Sequence, residues 1–445
     1  MTRIGDAAGF HAWFAERAAA HRYRVTPAPL DGLNGWSRDP RTGDLRHRSG
    51  RFFSVEGLRV RRPGPDGRSW TQPIIRQPET GVLGILVTRF AGVPHLLMQA
   101  KMEPGNVNTL QLSPTVQATF SNYTRVHRGS AVRYLEHFLA PGAGDRVRYD
   151  ALQSEQGSWF LGKRNRNIVV ETTGNVPVHE DFCWVPYPVM AELLRVDNLV
   201  NMDARTVLAG LPGTGGGRGA DGPPGPSRPV HDAAGLSHWL TSAKVRLRPE
   251  RTGVPLNAVD GWRYDAERGA ILHHAGRYFR IIGVDVEADS REVPSWSQPM
   301  LQPVGRGIVA FVSKEIRGRR HLLVQARAEA GTFDAVEVAP TVQCNPGNLS
   351  GDADRPPYLD TVLGAPPARV LFDTVHSEEG GRFHHAENRY LVVDGTDVPV
   401  DVPEDYTWMT VGQLTRAGRI GNLVGVEART LLACVHTLPG HGAAR

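Results

Sequence analysis

The feature that most constrains this chain is its internal repeat. Gly35-Trp36 recurs as Gly261-Trp262, Gly50-Arg51-Phe52-Phe53 as Gly276-Arg277-Tyr278-Phe279, and Ser69-Trp70-Thr71-Gln72-Pro73 as Ser295-Trp296-Ser297-Gln298-Pro299, all at one offset of 226. The window Gly92–Gln117 aligns without a gap to Gly318–Gln343, and 12 of its 26 positions are identical. Further on, Ser154-Glu155-Gln156-Gly157 matches Ser377-Glu378-Glu379-Gly380. Asn165-Arg166 matches Asn388-Arg389, and Ala204-Arg205-Thr206 matches Ala428-Arg429-Thr430. Order and spacing held over such a distance imply a tandem duplication. The copies are expected at residues 1–209 and 231–445. Residues 210–230 between them are dominated by Gly and Pro, which reads as a linker that builds no core.

Each copy opens on apolar residues at helical spacing: Phe10, Trp13 and Phe14, then Leu236, Trp239 and Leu240. Short β-rich runs follow, in copy one at 51–60, 82–90, 95–102 and 167–172. A helix is expected over 130–139 and two helical pieces over 187–208. Strands with a few helices and no regular βαβ alternation imply an α+β fold with a mixed sheet.

Composition excludes several classes. No apolar run is long enough to span a membrane, and the first residues lack a secretory signal pattern. Three cysteines, Cys183, Cys344 and Cys434, argue against a disulfide framework and for a reducing, cytoplasmic setting. The net charge is +5, but the basic residues are interleaved with acids rather than gathered in a stripe, so a nucleic-acid partner is not expected. Phosphate-binding loops, a dinucleotide fingerprint, a serine nucleophile elbow and zinc spacings are all missing from the sequence. No metal site and no cofactor are therefore expected.

Three polar clusters recur in both copies. The first is Trp36 or Trp262, a turn tryptophan that is either a core plug or a platform for a base. The second is Gln117–Arg128, with Thr119, Phe120, Ser121, Asn122 and Tyr123, matched by Gln343–Arg355 with Gln343, Cys344, Asn345 and Asn348. The third is Ser154–Arg166, matched by Ser377–Tyr390. Acid, base, Gly and aromatic residues packed this densely suit a charged ligand, since Arg forks onto phosphate oxygens and Gly lets backbone approach them. The alternative is a hairpin with paired surface charges.

These clusters also carry a resemblance. Trp70-Thr-Gln-Pro with Gln77-Pro78, His95-Leu-Leu-Met-Gln-Ala-Lys-Met-Glu-Pro-Gly-Asn106, Ser113-Pro-Thr-Val-Gln-Ala-Thr119, Ser121-Asn-Tyr-Thr-Arg125 and Ser154-Glu-Gln-Gly-Ser-Trp-Phe160 resemble the NDP-hexose 2,3-dehydratase family over nearly the whole chain. The resemblance implies a Nudix-like fold in each copy, a homodimer, and a nucleotide-sugar pocket per copy, one of them catalytic. Neither copy has the Nudix box, Gly-x5-Glu-x7-Arg-Glu-x-x-Glu-Glu, so the carboxylates for Mg²⁺-dependent pyrophosphate hydrolysis are missing. Fold likeness therefore does not imply hydrolase activity.

The implied substrate is dTDP-4-keto-6-deoxy-D-glucose, dehydrated across C2 and C3 to a 3,4-diketo-2,6-dideoxy sugar for antibiotic deoxysugar biosynthesis. A downstream NADPH-dependent 3-ketoreductase would consume the product. On this reading Trp36 and Trp262 stack on thymine. Arg327, Arg382 and Arg389, with Lys163 and Arg166, hold pyrophosphate. Ser154, Asn122 and Tyr123 contact the sugar, and Asn388 lies in the same cluster. The base candidates are Glu378, His385 and His376 in copy two and Tyr123 or Glu155 in copy one. The extra His and Glu residues of copy two favour that copy for catalysis. The alternatives are a nucleotide-sugar dehydratase or epimerase acting on another 4-keto sugar, a non-catalytic nucleotide-sugar binding protein and a nucleic-acid-binding module.

Overall fold

The computed structural model describes residues 2–62, 67–119, 132–211, 228–289, 293–351 and 354–439. Most of the linker and residues 120–131 lie outside this set. The same element order occurs twice. Each copy begins with a helix, Ala7–Ala20 or Ala233–Arg246, started by an aspartate (Asp6 or Asp232) that accepts a backbone N–H of the first turn at 2.7 or 2.8 Å. Phe10 and Trp13, the expected apolar face, are buried, and so is Leu240 in the second helix.

A small antiparallel sheet and a larger mixed sheet follow in each copy. In copy one the large sheet runs Asp145–Ser154, Arg164–Thr172, Gly81–Phe90, Val93–Met102, Phe182–Pro186. One pairing, Arg164–Thr172 with Gly81–Phe90, is parallel, which makes the sheet mixed. Copy two repeats it with Val370–Ser377, Glu387–Asp394, Gly307–Ile316, Arg319–Arg327 and Tyr406–Thr410. The expected strands are present within a few residues of their anticipated ends. The helix expected over 130–139 is shorter where it is described, at Glu136–Leu139. The two C-terminal pieces are Tyr187–Leu193 and Met202–Leu208.

The copies are not separable in space. Strand Tyr23–Ala28 of copy one completes the small sheet of copy two, pairing with Phe279–Ala288. Strand Glu250–Val254 of copy two completes the small sheet of copy one, pairing with Ser54–Arg61. Glycine makes both exchanges possible. A Cβ on Gly57 would sit 2.7 Å from the Val254 carbonyl oxygen, and one on Gly283 would sit 2.5 Å from that of Ala28. A single apolar cluster runs through both copies, from Phe10 and Leu193 to Phe311 and Leu432. Helix Met202–Leu208 packs on its counterpart Val426–Val435.

At that contact two arginines are wholly buried and reach across. Arg205 Nη2 donates to the Ser377 carbonyl at 2.8 Å, and Arg429 Nη2 donates to the Ser154 carbonyl at 2.6 Å. Each thereby fixes the end of the strand that leads into the other copy's Ser-Glu motif. Burying a guanidinium is costly unless most of its donors are met: Arg205 also donates to the Val200 carbonyl at 2.6 Å, and Arg429 to Thr206 Oγ1 at 2.8 Å and to the Val424 carbonyl. No helix among the described residues is long and apolar enough to cross a membrane.

Candidate active site

Each large sheet forms the floor of a cavity, of ≈ 440 Å³ in copy one and ≈ 630 Å³ in copy two. The first-copy floor carries Lys101 from strand Val93–Met102, Glu103 from the turn after it, and Gln117 from Val116–Ala118. Glu155 follows strand Asp145–Ser154, Lys163 precedes Arg164–Thr172, and Asp203 sits in the first turn of Met202–Leu208. Lys101, Glu103, Glu155, Lys163 and Asp203 are all buried.

These groups hold one another in place. Lys101 Nζ lies 3.8 Å from Glu103 and donates to the Gln117 carbonyl at 3.1 Å, while Gln117 Nε2 donates to Glu103 at 2.9 Å. Asn165 donates to Glu155 Oε1 at 2.7 Å. Burial pushes the Glu155 carboxyl up, against the opposing pull of Arg429, Asn165 and Lys163. Burial likewise lowers the Lys163 ammonium from its ordinary value, with Glu155 and Glu79 opposing. Asp203 is held well above the carboxylate range by burial and by the charges of Glu155, Glu379 and Glu103.

The wall facing this floor comes from the other copy. The Glu-Pro-Gly turn of copy one meets the Glu-Glu-Gly-Gly-Arg loop of copy two: Gly105 N–H donates to the Gly380 carbonyl at 2.8 Å, and the Gly105 carbonyl accepts from His385 N–H at 2.8 Å. A Cβ on Gly105 would lie 1.8 Å from the Phe383 carbonyl oxygen, so only glycine fits. The contact carries Glu379 and Arg382 into the first-copy pocket. Reciprocally, Gly331 meets Gly157, and Gln156, Ser158 and Trp159 of copy one wall the second-copy pocket.

The second pocket matches the first position by position. Arg327 stands for Lys101, with Glu329 accepting from Arg327 at 3.1 Å and from Gln343 at 3.0 Å. Glu378 stands for Glu155, accepting from Asn388 at 2.6 Å and from Tyr390 at 2.6 Å. Glu427 replaces Asp203 and is likewise raised well above its usual range by burial. Three charged groups of the first pocket have uncharged counterparts in the second, Arg382 being matched there by Trp159. Ala386 occupies the place of Lys163, and Gln156 occupies the place of Glu379, donating to Glu378 at 2.8 Å.

The structure sorts the residues picked out from sequence. Trp36, Thr119 and Lys163 line the first pocket; Trp262, Arg327, Gln343, Cys344, Asn345, Asn348, Glu378 and Asn388 line the second. Trp36 is half-buried, tilts against Phe53 at 4.8 Å and donates to the Ser297 carbonyl at 2.8 Å, so it is both plug and pocket wall. Arg382, expected in the copy-two site, serves the copy-one pocket, where it lies over the Phe53 ring at 4.4 Å and donates to Gln77.

Arg166 and Arg389 do not face either pocket. They lie on the outer face of their hairpins, where the carboxylates of Asp150 and Asp373 grip them bidentately at 2.6–2.8 Å. Ser154, expected at the sugar, lines neither pocket and donates to Glu337 of the other copy at 2.8 Å. His385 is exposed, stacked on His384 at 3.9 Å, and His376 is sealed in the core beside Tyr390 and Cys434. The histidines that favoured copy two are therefore not in its pocket, and of its two extra glutamates Glu387 lines that pocket while Glu379 belongs to the other one. Phe120, Ser121, Asn122 and Tyr123 lie outside the described residues.

Sequence reasoning passed over Lys101, Glu103, Asp203 and Glu379. The signal for Lys101 and Glu103 was present, since they lie in the best-matched window and Lys101 aligns with the chosen Arg327. Asp203 sits beside the matched Ala-Arg-Thr triplet. Nothing in the linear order showed that Glu379 changes pockets.

The sequence pattern of the NDP-hexose 2,3-dehydratase family matches residues 7–211 and again 233–435. This chain belongs to that family. A Streptomyces violaceoruber protein named dTDP-4-dehydro-6-deoxy-alpha-D-glucopyranose 2,3-dehydratase is 79% identical over 443 residues, covering 100% of both chains. Proteins of the same name from Amycolatopsis orientalis and Saccharopolyspora spinosa are 48% and 47% identical, each over 96% of this chain and over 89% and 91% of their own lengths. Each of the two family matches spans one copy.

Proposed function

We propose that this family member dehydrates dTDP-4-keto-6-deoxy-D-glucose across C2 and C3, and that it does so in the first-copy pocket. One observation carries the choice of pocket: only there do two lysines meet a cluster of buried carboxyl groups, Lys101 and Lys163 with Glu103, Glu155 and Asp203. The reaction asks for that set. The C4 ketone acidifies the C3 proton, a base removes it, and the negative charge moves onto O4. Loss of the C2 hydroxyl as water then gives an enol that tautomerises to the 3,4-diketone.

Glu155 is the base of this reading. Asn165 fixes one of its oxygens, and the other, Oε2, is buried with no hydrogen-bond partner among the described residues. A desolvated carboxylate with one free oxygen is a stronger base than one in water. Lys163, whose ammonium donates to the Glu79 carbonyl and feels the charge of Glu155, supplies positive charge for the developing enolate, where preorganised charge in a dry site is most effective. Trp36 at the mouth offers a face for thymine, and Arg382 offers a fork for pyrophosphate.

The rest of the reading follows the same chemistry. A vicinal diketone is labile, so an NADPH-dependent 3-ketoreductase is the expected consumer. Three unpaired cysteines support a reducing, cytoplasmic setting. A Nudix-like ancestry of each copy and a homodimer belong to it too, the latter checked by light scattering. The decisive experiment is incubation with dTDP-4-keto-6-deoxyglucose, a C3-ketoreductase and NADPH. A dTDP-2,6-dideoxy sugar is the expected product; unchanged substrate or free dTMP would overturn the reading.

A further inference from the structure

We propose that Glu379, a residue of copy two, is the general acid of the first-copy pocket, protonating the C2 hydroxyl as it leaves. The inference rests on the placement of catalysis in that pocket and adds a catalytic residue to it.

Geometry puts the group there. The Gly105–Gly380 contact brings backbone to backbone, and the side chain of the preceding residue, Glu379, lines the first-copy pocket. Gly381 N–H donates to Glu379 Oε1 at 2.9 Å, which orients the carboxyl. Its other oxygen, Oε2, is buried and has no hydrogen-bond partner among the described residues. Glu155 has a bare oxygen too, but the Asn165 amide and the charges of Arg429 and Lys163 favour its ionised form, which leaves Glu379 as the member of the pair to hold the proton. Three more carboxyl groups, Glu103, Glu155 and Asp203, line the same cavity. Like charges in one site cannot all ionise, so one member of such a set keeps its proton at neutral pH. Burial and the charges of Glu103 and Glu155, opposed by Arg382, push the Glu379 carboxyl up to about 7, near the value suited to an acid working at neutral pH.

The other pocket supplies the contrast. Position 379 there is filled by Gln156, whose amide satisfies Glu378 and holds no transferable proton. Consecutive residues of each loop thus face opposite pockets: Glu155 and Gln156 in one, Glu379 and Glu378 in the other. Among the described residues, only the first pocket receives a carboxyl from the opposite copy.

The proton inventory closes with this pair. Glu155 starts ionised and Glu379 protonated. Glu155 takes the C3 proton, and the C3–H electron pair forms the enolate. As the C4 carbonyl re-forms, the C2=C3 bond forms, the C2–O bond breaks, and the Glu379 proton leaves with the hydroxyl as water. Glu155 then gives its proton to C2, and the enol hydroxyl returns one to Glu379 as the C3 carbonyl forms. The pair ends as it began, with no redox partner.

The test is Glu379→Gln, a change to the residue that the fold already accepts at the matching place, with its melting profile as a check on folding. Turnover is measured by product formation, and C3 deprotonation separately by uptake of deuterium from D₂O into recovered substrate. The expected result is a fall in kcat of about 10²–10⁴-fold with KM little changed and deuterium exchange at C3 retained. Wild-type kcat should decline as pH rises through about 7, as Glu379 loses its proton, and the variant should lose that limb. Glu379→Asp, which keeps the acid, should recover part of the rate. Wild-type turnover in Glu379→Gln would overturn the assignment and leave the pocket standing. Loss of exchange together with turnover in a folded variant would also overturn it as the acid. If the wild-type enzyme neither exchanges nor dehydrates, the reading of the pocket falls, and this proposal with it.

Discussion

The two pockets have the same floor plan and different chemistry. Both have a cation beside a glutamate on the central strands, Lys101 with Glu103 and Arg327 with Glu329. Both have an Asn-held glutamate after the outer strand and an acid in the first turn of the last helix. They part where Lys163 faces Ala386 and Glu379 faces Gln156. One exchange removes a cation and the other removes an acid, and both fall in the second pocket. Two pockets that share a framework can therefore keep ligand recognition in common while only one keeps a full acid–base set.

The largest expected effect breaks the comparison directly. Lys163→Ala installs the copy-two residue in copy one and should lower kcat by about 10²–10³-fold. Truncating Arg327 in the second pocket should cost far less. Equal losses in the two variants would dissolve the distinction.

Next come the arginines that hold the pockets' floors across the copies. Arg429→Met leaves the carbonyls of Ser154 and Val424 and the Thr206 hydroxyl without their buried donor. A loss of about 3 kcal/mol is expected in urea unfolding, and Arg205→Met should behave alike. An unfolding free energy unchanged by either substitution would show that the exchange of contacts is incidental.

A smaller effect concerns pH. Burial pushes Glu337 up to about 7, opposed by its bond from Ser154. A carboxyl raised in the fold binds its proton more tightly folded than unfolded. Stability is then full below the unfolded value near 4.5 and is lost as pH rises to about 7. The matching residue in copy one is Gln111, which donates to Ser377 at 2.7 Å. Glu337→Gln should therefore leave the melting temperature unchanged near pH 4.5 and stabilise by about 3 kcal/mol at pH 8. A melting temperature lowered at pH 8 would contradict the assignment.

The mildest test is at the mouth. Trp36→Ala should weaken dTDP binding by about 1 kcal/mol, the low end for stacking because Phe53 already covers part of the ring. Calorimetry that finds no change would reduce Trp36 to a core plug.

Much of the fold was legible in order. The repeat, the opening helices and the central strands follow from periodicity and glycine placement, because local patterning governs elements such as Val93–Met102. Half of the site was legible as well: Trp36, Lys163, Glu155, Arg327 and Glu378 sit in matched clusters and do line the cavities. Two of the errors share one cause. Arg166 and Arg389 lie one side chain from the pocket along a strand, and the alternation of strand faces sends them outward to Asp150 and Asp373. His385 and His376 belong to the right segment and the wrong surface.

The sequence by itself determined that there are two copies, that they belong to one family, and that each brings a matched polar cluster. Which cluster serves which pocket was decided by the tertiary structure alone. Strands Tyr23–Ala28 and Glu250–Val254 cross over, Arg205 and Arg429 reach through the shared core, and Gly105 admits a backbone contact that no other residue could. Such contacts join residues more than 170 positions apart, and no local pattern encodes them.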